Sequence, residues 1–251
     1  MTSNLSILMY HQVGDFRPMD AHRSTYCHFK RFALQMRFLQ ILQVKVLNLD
    51  QALSKLRARQ RVPGHAVVLT FDDGYADLTE YVTPILQKYG FLATIYLLSG
   101  CIGQRAHWFA ADNRETPLLL DLSSIYRLMN QGFIFGSHGV SHVKLAQVDH
   151  ELMKQEIRKS KYDLEKDLGI DIKHFCYPYG DYNEGVIKEV RNAGYETAVT
   201  CLRSAVTERF SPFELPRKAI SYGDSLFGFL WKLFFKNSPK KQPLLSPDDV
   251  S

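Results

Sequence analysis

The chain has 251 residues, 45% of them hydrophobic and 23% charged, which excludes a disordered chain and suits one large hydrophobic core. Its formal net charge is +5, but four lysines in the acid-free stretch 225–247 contribute +4 of this charge. The remainder is nearly neutral and carries no basic stripe interleaved with aromatic residues, so no nucleic-acid partner is expected.

Strand-like runs alternate with segments of helical period, as in layered or barrel-shaped α/β folds. In chain order, the segments that we interpret as strands are 5–10, 45–49, 66–71, 93–98, 133–136, 174–177 and 197–200. The segments that we interpret as helices are 29–42, 50–59, 78–89, 123–130, 149–168 and 184–192. Asp149 is a suitable N-cap for the longest helix, and Gly169 is a suitable residue to end it.

Polar residues with catalytic chemistry directly follow four of these strands. They are His11, the pair Asp72 and Asp73, His138, and the turn Pro178-Tyr179-Gly180. The carboxyl ends of parallel barrel strands converge on one face, where the loops build the active site. The sequence therefore predicts that these residues share one site.

Asp72 and Asp73 stand side by side before Gly74. An Asp-Asp-Gly triplet is often a solvated turn. After a buried strand, however, two adjacent carboxylates repel each other unless a cation or a proton relieves them. A metal ion held by one carboxylate would leave the other nearby as a base.

His138 and His142 are four residues apart, so both imidazoles can lie on one side of a turn and share a metal ion. The alternative is a pair of histidines that cap a loop. Together with Asp73 they would form a three-ligand set with an open position, as catalytic metal sites have. Such a set suits one divalent ion, zinc first, but also cobalt, nickel, manganese or iron.

Three motifs, in this order, resemble the signature motifs of the polysaccharide deacetylases, also called the NodB-homology domain or carbohydrate esterase family 4. They are Thr70-Phe-Asp-Asp-Gly-Tyr75, His138-x-x-x-His142 and Tyr177-Pro-Tyr-Gly180. The resemblance implies a distorted (β/α)7-type barrel over about residues 5–220 and metal-dependent removal of N-acetyl groups from aminosugars. It implies a role for each matched residue: Asp72 as general base, Asp73, His138 and His142 as metal ligands, and the backbone of Tyr179 as an oxyanion donor.

The chain departs from the family pattern at three points. Gly139 stands where the family usually has Ser or Thr, Cys176 stands where it often has an Arg that orients the catalytic Asp, and no His follows His174 to supply the general acid. In a circularly permuted branch, which the poly-N-acetylglucosamine deacetylases represent, an early Tyr-His replaces the late His. Tyr10-His11 is similar to that motif, so we expect His11 to be the general acid; the alternative is a histidine that only caps the first strand.

Arg217 follows Pro216 near the end of the matched region. It can replace the missing Arg as the partner of Asp72. The alternative is a surface cation without a role.

On this resemblance, we expect the chain to divide into a deacetylase domain, residues 1–223, and a C-terminal helix and tail, residues 224–251. Residues 224–236 are the most apolar stretch, and Lys240 and Lys241 follow it. This segment is too short to span a bilayer. One interpretation is a helix that closes the outer layer of the barrel. The other is that residues 224–241 lie on the inner leaflet, with their lysines facing anionic headgroups.

The N-terminus lacks the basic region and cleavage site of a signal peptide, and the four cysteines form no Cys-x-x-Cys pair. We therefore expect reduced thiols and a cytoplasmic location with no signal peptide or transmembrane span. The expected partner is an aminosugar-containing glycan, a glycolipid or a nucleotide sugar. The alternatives to an N-deacetylase are a deformylase or O-acetyl esterase acting on a lipid-linked sugar, and a non-catalytic sugar-binding barrel.

Overall fold

Parallel strands form the central sheet of this computed structural model, which describes residues 5–17, 22–58, 64–112, 114–207, 210–238 and 242–245. The strands are β1 (Leu5–Tyr10), β2 (Gln12–Gly14), β3 (Tyr26–His28), β4 (Lys45–Leu47), β5 (Ala66–Phe71), β6 (Thr94–Leu97), β7 (Ile134–Ser137), β8 (His174–Cys176), β9 (Thr197–Val199) and β10 (Arg217–Ala219). The helices are α1 (Phe29–Ile41), α2 (Leu49–Arg57), α3 (Thr83–Tyr89), α4 (Leu122–Asn130), α5 (His150–Leu168), α6 (Glu184–Asn192) and α7 (Leu226–Phe234).

The main sheet is a nearly closed barrel. Within the described residues it has eight parallel strands in the order β10-β1-β5-β6-β7-β8-β9, with β4 also paired to β5. The amide of Leu215 donates to the carbonyl of Ala198 (3.0 Å), and the amide of Thr200 donates to the carbonyl of Leu215 (2.9 Å), so the residues just before β10 are joined to β9. The predicted NodB-type barrel is confirmed, with β10 as one strand more than the sequence indicated.

Alternate residues of the strands pack on opposite sides of the barrel wall. β1 and β5 are buried along their whole length, as strands covered on both faces are. Leu5 and Ile7 pack inside the barrel with Val68, whereas Leu8 and Tyr10 join the layer between strands and helices. Side chains within the strands therefore fill the two faces of the barrel wall, and the residues that follow each strand form the rim.

The longest helix, α5, begins and ends where the sequence predicted. The Asp149 side chain accepts a hydrogen bond from the amide of Leu152 (2.9 Å), and Gly169 ends the helix with a φ of 68°. The predicted helix 78–89 is present, but a π-helical turn over Leu78–Val82 precedes α3. Pro84 has no amide hydrogen for the regular ladder at this point, which accounts for the wider turn.

Three short strands had no signal in the sequence. β2 and β3 form a separate parallel pair at the rim, and β10 completes the barrel. The bounds predicted for β1 and β5 match the structure, and β7 is shifted by one residue from the predicted 133–136. The strands β4, β6, β8 and β9 are shorter than predicted by one or two residues. The predicted end of the second helix at residue 59 lies outside the described residues.

The C-terminal helix α7 has one buried face and one exposed face. Phe229 and Leu233 join the main core, and the helix packs against α1. On the other face, the side chains of Phe227, Trp231 and Phe235 are 84%, 56% and 66% exposed. The first face therefore closes the outer layer of the barrel, as one of the two alternatives anticipated.

The lysines of this region differ in their surroundings. The Lys232 amine donates to the carbonyl of Ala219 (2.8 Å) and to the Asp224 carboxylate (2.6 Å), so it does not point away from the protein. Lys236 is exposed. Lys240 and Lys241 lie outside the described residues. In the described ranges, no helix combines the length and the hydropathy that crossing a membrane requires.

Candidate active site

The carboxyl ends of the barrel strands surround a cavity of about 270 Å³. Six of the seven site residues predicted from the sequence line it: His11, Asp72, Asp73, His138, His142 and Tyr179. The seventh, Arg217, is fully buried and contacts Asp72 from inside the barrel. The fold thus brings all seven together.

Asp73, His138 and His142 form a compact group of metal-ligand atoms. Asp73 Oδ1 is 3.3 Å from Nε2 of His138 and 3.3 Å from Nε2 of His142. The three atoms lie within 4.8 Å of one another. Asp73 Oδ1 is buried and, within the described residues, accepts no hydrogen bond. A buried carboxylate oxygen left open between two imidazole nitrogens fits a bound divalent cation.

Neighbouring groups orient two of these ligands. Tyr75 donates its hydroxyl hydrogen to Asp73 Oδ2 (2.6 Å), which leaves Oδ1 to face the histidines. His138 Nδ1 is 2.7 Å from the carbonyl oxygen of Cys176, so its proton is fixed on Nδ1 and Nε2 can act as a ligand. The ring of His142 lies 4.4 Å from the rings of both Trp108 and Tyr179. Tyr75 and Trp108 were not among the predicted site residues, although Tyr75 lies within the first motif.

The protonation states follow from burial and these contacts. Burial by itself would raise the pKa of Asp73, but His142 and His138 outweigh it and hold that pKa far below its usual range. Burial lowers the pKa of His142 to about 4, so its ring is neutral near pH 7, as a metal ligand must be. Burial lowers the pKa of His138 too, but Cys176 and Asp73 raise it well above its ordinary value. Metal binding at His138 would therefore release a proton.

Glu156 on α5 fixes the loop between the two histidines. Its Oε2 accepts hydrogen bonds from the amides of Val140 (2.8 Å) and Ser141 (3.0 Å), and its Oε1 accepts one from the Ser141 hydroxyl (2.5 Å). Gly139, which replaces the usual Ser or Thr, has a φ of 87°, and a Cβ there would lie 3.0 Å from Glu156 Oε2. Glu156 was not among the predicted site residues, because one acid in a charged helix carries no distinguishing signal.

Asp72 and Arg217 form a bidentate ion pair inside the barrel. Arg217 Nη1 donates to Asp72 Oδ1 (2.6 Å) and Nη2 donates to Oδ2 (2.7 Å). Arg217 Nε donates to the carbonyl of Thr200 (3.0 Å), and Nη2 also donates to Cys176 Sγ (3.2 Å). Burial alone would raise the pKa of Asp72, but Arg217 outweighs it and holds that pKa below its usual value. Arg217 is thus not a surface cation.

The same contacts argue against a second candidate ligand group, Asp72, His138 and Cys176. Arg217 already occupies both oxygens of Asp72 and the sulfur of Cys176. Burial raises the pKa of Cys176 to about 11, so its side chain is a thiol. A cation at this point would be repelled by the guanidinium.

His11 and Tyr179 lie on the cavity wall. His11 Nε2 is 3.8 Å from Asp72 Oδ2, close to the ion pair but beyond a direct hydrogen bond. The Tyr179 ring is 51% exposed at the cavity mouth.

Three site residues adopt left-handed backbone conformations, with φ of 71° at Asp73, 64° at His142 and 59° at Tyr179. Such conformations cost about 1–3 kcal/mol each for non-glycine residues and concentrate at functional sites. At Asp73 the turn directs successive carboxylates to different partners: Asp72 contacts Arg217, and Asp73 contacts the imidazoles.

Two known proteins are similar to most of this chain. YxkH of Bacillus subtilis, whose name is that of a polysaccharide deacetylase, is 26% identical over 223 residues, covering 89% of this chain and 74% of that protein. A poly-beta-1,6-N-acetyl-D-glucosamine N-deacetylase of Staphylococcus aureus is 25% identical over 208 residues, covering 80% of this chain and 69% of that protein.

Solved structures share the fold. The deacetylase PplD of Streptococcus pyogenes, in complex with acetate, superposes with a TM-score of 0.79 at 23% identity over 91% of this chain and 97% of that one. IcaB from Ammonifex degensii superposes with a TM-score of 0.74 at 21% identity over 92% and 98%. The family model for polysaccharide deacetylases matches residues 59–198, more than half of the chain. This chain therefore belongs to the polysaccharide deacetylase family.

Proposed function

We propose that the protein is a metal-dependent hydrolase that removes N-acetyl groups from an aminosugar-containing glycan or glycolipid. The observation that carries this proposal is the open, buried Oδ1 of Asp73 between Nε2 of His138 and Nε2 of His142. One carboxylate and two imidazoles suit zinc first, and also cobalt, nickel, manganese or iron.

A divalent ion held by these three residues would act as a Lewis acid, making water more acidic and polarising the acetyl carbonyl. Asp72 is the general base: it takes a proton from the water that attacks the carbonyl carbon. Arg217 keeps Asp72 ionised and fixes both of its oxygens, which supports this role. Because Asp72 lies in a buried ion pair, its orientation is set before substrate binds.

The backbone amide of Tyr179 donates a hydrogen bond to the oxygen of the tetrahedral intermediate. One such donor contributes roughly 3–4 kcal/mol to transition-state stabilisation. His11 gives a proton to the amine as the C–N bond breaks, so that acetate and a free amino sugar leave. The position of His11, 3.8 Å from Asp72 on the same cavity wall, supports this assignment.

The proposal is tested by acetate release from N-acetylglucosamine oligomers, with the protein first stripped of metal and then supplied with zinc. We expect release only with metal, and a loss of about 10²–10⁴-fold in Asp72→Asn. Normal turnover by Asp72→Asn with metal bound would refute the assignment of the base. Formylated and O-acetylated substrates, tested in parallel, separate the deformylase and esterase alternatives. Sugar binding without release of any acyl group would favour a non-catalytic barrel.

The exposed face of α7 supports a second proposal, contact with an anionic membrane surface. Phe227, Trp231 and Phe235 form an aromatic ridge, Lys236 is exposed beside it, and residues 225–238 contain no acid. Aromatic rings and lysines on one helix face are typical of interfacial helices. This location would suit a lipid-linked substrate, and a cytoplasmic location stays a prediction.

Flotation with vesicles of anionic lipid tests the membrane proposal. We expect wild type to float with the vesicles, and a variant with serine at the three ridge positions to remain in the bottom fraction of the gradient. Equal behaviour of the two proteins would contradict it, and concentration-dependent self-association abolished by the same variant would assign the ridge to a second copy of this chain.

A further inference from the structure

Two arginines other than the buried Arg217 line the candidate catalytic cavity. Arg114 follows the 3-10 helix His107–Asp112, and Arg203 lies in the loop between β9 and β10. The Arg203 side chain is exposed. The proposed reaction uses neither of them.

The carboxylates of the cavity have other partners. Asp72 is bound by Arg217, and Asp73 faces His138 and His142. Among the described residues, no other acid lines the cavity. Over the same ranges, Arg203 has no carboxylate within ion-pair distance. With a divalent ion on Asp73, Arg203 would be left without an acidic partner on the described cavity wall.

The guanidinium of Arg114 is held in a defined position at the rim. It lies 4.0 Å from the centroid of the Phe109 ring, and its Nη1 is 3.5 Å from the hydroxyl oxygen of Tyr26. A third cation, Lys144, has its amine 5.8 Å from the Tyr179 ring at the cavity mouth. Positive groups therefore lie on more than one loop around the entrance.

We propose that this site takes an anionic aminosugar, whose phosphate or carboxylate group binds to Arg203. The inference rests on the proposed deacetylase function and narrows its substrate class. A neutral sugar that covered the Arg203 guanidinium would remove its hydration without supplying a negative charge. An oxyanion instead forms paired, charge-assisted hydrogen bonds with the planar fork of Arg. Binding of the anion at the rim would leave the acetamido group free to reach Asp72.

Binding of small probes tests the inference without any need for turnover. We would measure the affinity of N-acetylglucosamine 1-phosphate, of a glucuronic acid–N-acetylglucosamine disaccharide and of neutral N-acetylglucosamine by calorimetry. The expected result is that at least one acidic probe binds about tenfold more tightly than the neutral sugar, and that Arg203→Ala removes this difference. Arg203→Lys should keep part of it, because Lys keeps the charge and loses the fork. The two acidic probes distinguish a phosphate from a carboxylate ligand.

Arg127→Ala is the matched control, since Arg127 is an exposed arginine on α4 away from the cavity. It should leave all affinities unchanged. Equal affinity for acidic and neutral probes, or an Arg203→Ala variant that weakens all probes alike, would overturn the inference. Acetate release from the same compounds keeps the two proposals apart. A good neutral substrate with no preference for acidic ones refutes only the anionic class, and the absence of release from every compound counts against the deacetylase.

Discussion

Breaking the buried ion pair between Asp72 and Arg217 should lower the free energy of unfolding. Both side chains are buried, and the guanidinium donates two hydrogen bonds of 2.6 and 2.7 Å to the carboxylate. Replacing Arg217 by Met keeps an apolar stem next to the Tyr96 ring but leaves a buried carboxylate without its cation. Removing one partner of a buried pair costs about 3–5 kcal/mol of unfolding free energy.

A double-mutant cycle separates the pair from the rest of the barrel. Asp72→Asn should also cost about 3–5 kcal/mol, because it leaves the guanidinium buried and unpaired. The double variant leaves neither charge, so its loss should be smaller than the sum of the single losses by at least about 3 kcal/mol. Urea unfolding gives these free energies, provided that wild type and the three variants have the same m-value. Losses that add within about 0.5 kcal/mol would refute the coupling.

Three further outcomes follow from the structure. Glu156→Gln should weaken metal binding about tenfold in a chelator-competition assay, and saturating metal should restore acetate release. The control variant Glu151→Gln, on the exposed side of α5, should match wild type in both measurements. Burial raises the pKa of Asp77 from 3.8 to about 7, so the folded protein holds this proton more tightly than the unfolded chain. The stability that this group contributes is therefore fully present below about pH 4 and is lost as the pH rises through 7. Relative to Asp77→Asn, wild type should therefore gain about 2 kcal/mol between pH 7 and pH 5, and a constant difference would contradict this. His11→Ala should lower kcat more than it changes KM for an amide substrate, with a smaller effect on an ester that has a better leaving group; equal losses on both would remove the role of proton donor.

The strand ends are readable from the sequence because buried runs of β-branched and aromatic residues stop at polar residues. This pattern is enough to place Asp72, Asp73 and His138 on one rim, where all three line the same cavity. The barrel follows from the alternation of strands and helices, since parallel strands need crossover helices.

Strand β10 could not be predicted because it begins with two charged residues, which normally indicate solvent exposure. Both are buried for reasons that depend on distant parts of the chain. Arg217 pairs with Asp72, and the Lys218 amine donates to the carbonyl of Leu233 (2.8 Å) and to the side chain of Asn237 (2.9 Å). Burial lowers the pKa of Lys218 to about 8.

In the proposed site Asp73, and not its neighbour Asp72, holds the ion. The most direct measurement is the metal content per chain of three purified proteins: wild type, Asp73→Ala and Asp72→Asn, each checked for native circular dichroism. We predict one divalent ion in wild type and in Asp72→Asn, and none in Asp73→Ala. Full metal occupancy in folded Asp73→Ala, or loss of the ion in Asp72→Asn, would show that Asp73 is not the carboxylate ligand.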